Sequence, residues 1–238
     1  MTDELSKKIL RGDYCKEFYS LPQAHEILEK IGKNNQENIF LRFGNMDHHF
    51  YFYEMWPLYK LAKNIYGDNT QTRIRFTGPL QEPFDGIIQH TSLTTDQKVE
   101  FVNAIDGHEV SVRLEYAKKF GWVKGIGKMN FSGSKNKRAF GNNQTLEMFE
   151  IGGSEMNEEY SLLIDTAIKR KISKPEYQGF WLGITIDDMK FSRLNERPEP
   201  IITIAEEVID GTREEIKKLF QRVFIIGTCT DFFYEPKI

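Results

Sequence analysis

Two short apolar runs each carry one acid: Asp85 heads FDGII and Glu100 lies inside VEFVNAI. Burying an uncompensated carboxylate is costly enough that its pKa usually shifts instead. Both acids therefore need solvent or a partner. If the two runs pair as neighbouring strands, the carboxylates can converge at one end of a sheet. Two carboxylate oxygens placed so would suit Mg²⁺ or Mn²⁺, and such an ion activates water and stabilises a phosphate oxyanion. Two structural placements stay open beside this one. Asp85 can cap backbone N–H groups in a turn before Gly86, and Glu100 can face water from a one-sided sheet.

The elements that must position these acids are legible in outline. LPQAHEILEKIGK, residues 21 to 33, follows Ser20 as N-cap and reads as a helix, with Pro22 in its first turn. PLYKLAKNIY, residues 57 to 66, reads as a second, stopped at Gly67. TRIRFTG, FDGII and KVEFVNAI then read as three consecutive strands, antiparallel neighbours because their connections are short. EVSVRLEYAKKFG predicts a helix over 108 to 120. Residues 121 to 153, rich in Gly, Asn and Ser, read as an insertion. SEMNEE opens a long helix ending near Ser173. FWLGITI and RVFIIGT are apolar runs of the kind covered on both faces, and the helix between them makes them parallel. The fold class is α/β, an α+β mixed sheet. Residues 1 to 69 form an N-terminal helical segment packing on a core of residues 70 to 238.

The order of helix, three-stranded meander with Asp on its second strand and Glu on its third, long helix and strand resembles the PD-(D/E)XK nuclease-like superfamily. EPFDGIIQ and QKVEFVNAIDG resemble its acidic motif strands, LLIDTAIKRKISK with FWLGITI its later helix and strand, and FQRVFIIGT with DFFYEP the tail of uncharacterised bacterial members. The resemblance covers residues 70 to 104 and 155 to 234. It implies a restriction-endonuclease-like core and a metal-dependent nuclease with Asp85 and Glu100 as catalytic metal ligands. The family's third catalytic residue is a lysine two positions after the Glu, where this chain has Val102.

A replacement lysine has two candidates. With Met156 at zero and about 100° per residue, Tyr160, Leu163, Ile164, Ala167 and Ile168 form an apolar stripe, and Lys171 falls at about 60° in its middle. A lysine there either snorkels past the helix end or reaches the acids. Lys98 shares the strand face of Glu100. Glu54 and Glu26 are upstream acids of the kind that add a metal ligand in some members of the resembled family, though their spacing singles out neither.

Between Lys118 and Arg138 the chain carries seven Lys and Arg and no acid, interleaved with Phe120, Trp122 and Phe131. Lys118, Lys119, Lys124, Lys128, Lys135, Lys137 and Arg138 are the candidate DNA or RNA contacts, since a basic stripe with aromatics is one footprint of nucleic-acid binding. A net charge of -3 gives no chain-wide attraction to a polyanion, so any such contact must be local. No run approaches the length of a membrane span and no signal peptide is evident, so a cytoplasmic protein is expected. Cys15 and Cys229 are expected as thiols. The histidines, His25, His48, His49, His90 and His108, have no metal-site spacing. Paired cuts in a duplex would favour a homodimer. The competing function is a catalytically inactive nuclease-like fold that binds nucleic acid or protein, for which Val102 is the main support.

Overall fold

The computed structural model describes residues 8, 11–35, 50–80, 82–106, 153–188, 199–228 and 230–238. The helix expected over 108 to 120, the insertion up to residue 152 and all seven candidate nucleic-acid contacts lie outside the described residues, while Gly153 already belongs to the helix that follows. Within them the elements run β1 (Tyr19–Ser20), α1 (Leu21–Asn35), α2 (Trp56–Tyr66), β2 (Arg73–Phe76), β3 (Gly86–Gln89), β4 (Gln97–Ala104), α3 (Gly153–Ile172), β5 (Phe180–Ile186), α4 (Glu199–Leu219), β6 (Phe220–Gly227) and β7 (Phe233–Tyr234). A π-helical turn, Tyr51–Met55, leads into α2.

All seven strands form one mixed sheet in chain order. β1 to β4 pair antiparallel, β4, β5 and β6 parallel, and β7 closes antiparallel on β6. The protein is thus a mixed α/β fold, as expected, with the meander and the parallel pair where the sequence placed them. β1 was not foreseen; two residues are too short for an alternating pattern.

Strand period two divides the core. Val102, Ala104, Leu182, Ile184, Ile186, Val223 and Ile225 face α3 and α4. Val99, Phe101, Trp181, Phe224 and Ile226 face α1 and α2. α4 buries Ile201, Ile204, Ala205, Val208 and Ile209, which is helical spacing on one face. Each fully buried Ile is worth about 1.5–3 kcal/mol, so coverage of the sheet, more than helix propensity, fixes α4. α1 presents Leu21, Ala24, Leu28 and Ile31 in the same way to the opposite face.

Local chemistry sets the helix ends. At α1 the Gln23 carboxamide oxygen accepts from the Ser20 backbone N–H at 3.0 Å and from its hydroxyl at 3.0 Å. This is the reciprocal half of a capping box. α2 ends where Gly67, at φ 76°, donates its N–H to Lys63 O at 2.8 Å, a left-handed position that favours glycine. Cys15 is a buried free thiol, and burial pushes its pKa up to about 12. No helix among the described residues is long and apolar enough to cross a membrane.

Candidate active site

The β3–β4 pairing builds the first half of the site. Gly86 lies opposite Val99 and Ile87 opposite Lys98, so one step earlier Asp85 comes beside Glu100. The segment before β3 is tied down: Thr77 donates its hydroxyl to Phe84 O at 2.5 Å, and Asp85 donates its N–H to Val99 O at 2.9 Å. The Asp85 carboxylate then accepts the Phe101 N–H at 2.7 Å. Asp85 does cap a backbone N–H, but that donor belongs to the strand carrying Glu100, not to its own turn. Glu100 does not face water; it is 5% exposed.

α3 supplies the second half. Its buried stripe is Tyr160, Ile164, Ala167 and Ile168, and Lys171 lies one turn beyond. At the end of the stripe its ammonium donates to Glu100 Oε1. It also stands 5.2 Å from the ring centre of Tyr177, whose hydroxyl feels the Glu100 charge. Lys169, on the far side of α3, pairs instead with Asp165 at 2.8 Å.

Glu54 completes the group from the π-helical turn, whose Tyr51 and Met55 pack in the core beneath α1 and α2. It is 8% exposed and feels the charges of Asp85, Glu100 and Lys171. The electrostatics follow from burying three acids beside one cation. Burial, then repulsion from Asp85 and Glu100, raises Glu54 to about 9. Burial, then Glu100, raises Asp85 to about 7, against the opposing pull of the Phe101 N–H and Lys171. Tyr177 is raised too, by burial and then by the Glu100 charge.

Lys98 does not join the group. It is exposed, with its ammonium 5.0 Å from the ring centre of Phe84 and 5.4 Å from that of Phe180, and it pairs with no carboxylate among the described residues. Glu26 stays on exposed helix surface in α1. His25 stacks on Tyr59 and His90 on Tyr66, at 5.3 Å and 4.2 Å between ring centres. Tyr177 escaped sequence reasoning because KPEYQGF carries no periodic signal. For Glu54 the cue is one of composition: it is the lone acid in the aromatic run FYFYEMW.

No family model matches this sequence, and comparison with curated proteins and with solved structures finds no match.

Among the described residues no three His, Cys, Asp or Glu converge as ready-made metal ligands. The donor chemistry nonetheless fits a hard divalent cation. Carboxylate oxygens are the ligands that Mg²⁺ and Mn²⁺ take, and acids whose pKa values are raised by burial and mutual repulsion hold protons that a cation can displace.

Proposed function

We propose that the chain is a metal-dependent nuclease, with β2 to β4, α3 and β5 forming a restriction-endonuclease-like core. The observation that carries this reading is Lys171 reaching Glu100 from α3, which puts an ammonium beside the acids although Val102 stands at the family's lysine position. Asp85 and Glu100 would hold Mg²⁺ or Mn²⁺, with Glu54 as a third buried acid that feels their charges. The ion supplies a water of lowered pKa and a Lewis-acid contact to a phosphate oxygen.

The chain's own residues do the rest. Asp85 and Glu54 would release their protons on cation binding, and the Phe101 N–H orients the Asp85 carboxylate. Lys171, steered by Glu100 and by the Tyr177 ring, lies where an ammonium offsets the charge that develops on a phosphate during hydrolysis. The apolar walls of both cores keep the group partly dry, which strengthens each of these interactions.

Cleavage assays on labelled single-stranded and duplex DNA and RNA test the reading, with Mg²⁺, Mn²⁺ or EDTA and with E100Q in parallel. Metal-dependent cleavage absent from E100Q supports it. Absence of cleavage by the parent under every condition leaves the fold as a binding module instead.

A further inference from the structure

Three ammonium groups stand along one row of buried aromatic rings, Phe84, Phe180 and Tyr177, that ends at Lys171. Phe84 and Phe180 meet edge to face at 6.0 Å between centres, and Phe180 and Tyr177 lie 5.8 Å apart. Lys98 sits over the first two rings at 5.0 Å and 5.4 Å. Lys171 and Lys174 both sit over the third, at 5.2 Å and 5.5 Å. Lys171 is turned inward onto Glu100. Lys98 and Lys174 are exposed, and among the described residues neither pairs with a carboxylate; Lys174 donates only to the Tyr177 hydroxyl, at 3.4 Å.

Ring faces hold a cation in place without neutralising it. An ammonium parked on an aromatic ring keeps its charge available to an anion from solvent, whereas one bonded to a surface carboxylate does not. Two such cations are exposed, one rooted in β4, the strand of Glu100, and one just past α3, the helix of Lys171. The chain as a whole is negative, so this row is a local positive feature rather than part of a general field.

We infer that Lys98 and Lys174 are backbone-phosphate contacts that lay one nucleic-acid strand over the exposed ammonium groups held on the Phe84–Phe180–Tyr177 row, beside the acidic site. The inference rests on the proposed nuclease reading and adds to it where the strand runs. Because both contacts are to phosphate, the recognition is independent of base sequence. Lys98 then serves as a substrate contact, while Lys171 alone serves the acids.

The test is binding of a fluorescent single-stranded thymidine oligonucleotide by anisotropy over a range of salt, in Ca²⁺ and again in EDTA. The parent is compared with K98A/K174A and with K30A/K63A, which removes the same charge from α1 and α2 across the sheet. Each lost phosphate contact lowers the slope of log K against log salt by about 0.7 for a single strand, so K98A/K174A should lose about 1.4. K30A/K63A should keep the parent slope. Unchanged binding by K98A/K174A, or equal losses in both pairs, overturns the track. The two claims fail separately. Binding with the expected slope loss but no cleavage by the parent sinks the nuclease reading and keeps the track. Cleavage lost in E100Q with slopes unchanged does the reverse.

Discussion

Lys171 on α3 donates to Glu100 on β4 across 71 residues of chain, within a setting where the two side chains are 16% and 6% exposed. Breaking a buried pair by removing one partner leaves an uncompensated charge, at a cost of about 3 kcal/mol or more. K171M is therefore expected to lower stability by that order in urea unfolding, and K171M/E100Q to recover a large part of it. A coupling energy near zero in this double-mutant cycle would show that the contact is incidental.

The raised carboxyls make stability depend on pH with a definite sign. A native acid with a raised pKa holds a proton that the unfolded chain has already released, so stability falls as pH rises. For Asp85 the loss runs from the ordinary 3.8 to about 7, and for Glu54 from 4.5 to about 9. Between pH 7 and 9 the metal-free protein is expected to lose up to about 1.4 kcal/mol per pH unit through Glu54. E54Q should flatten that limb, as urea midpoints across the range will show; a parent profile level above pH 7 contradicts the placement of Glu54.

How much of this was visible beforehand differs by residue. The helical phase of Lys171 placed it in the apolar stripe, and α3 does deliver it to Glu100, because a lysine on a buried face has few partners and Glu100 is buried on the strand it packs against. The neighbouring of Asp85 and Glu100 followed from strand order alone. Glu54 was harder, since its position depends on a π-helical turn that no periodicity announces. Tyr177 was hidden altogether, sitting in a short 3₁₀ turn between α3 and β5. Lys98 does share the strand face of Glu100, but two rings, Phe84 and Phe180, from separate segments intercept it, and such long-range contacts leave no trace in local spacing.

Metal binding should oppose the same protons. Mg²⁺ or Mn²⁺ is expected to raise the melting temperature more at pH 8 than at pH 6, because fewer protons must leave Asp85 and Glu54 at the higher pH. An ion at a hundredfold excess over its dissociation constant adds about 2.7 kcal/mol. D85N should abolish the shift in differential scanning fluorimetry, and a shift that persists in D85N places the ion elsewhere.

The sheet beneath the site tolerates little. A Cβ at Gly183 of β5 would stand 2.3 Å from Phe101 Cε1, and Phe101 is the residue whose N–H holds Asp85. G183A is expected to cost about 1–3 kcal/mol by overpacking, read by urea unfolding. A neutral G183A would mean that the Phe101 ring moves aside freely.

The central claim is that the acids and Lys171 act as one hydrolytic centre, and single-turnover cleavage of labelled DNA and RNA in Mn²⁺ tests it most directly. Parent, K171M and K63A are compared, the last carrying the same charge loss on the opposite layer. The account predicts metal-dependent cleavage by parent and K63A, reduced at least about a hundredfold in folded K171M, the scale of a lost catalytic electrostatic contact. Cleavage by K171M at the parent rate, or none by the parent with any metal, contradicts it.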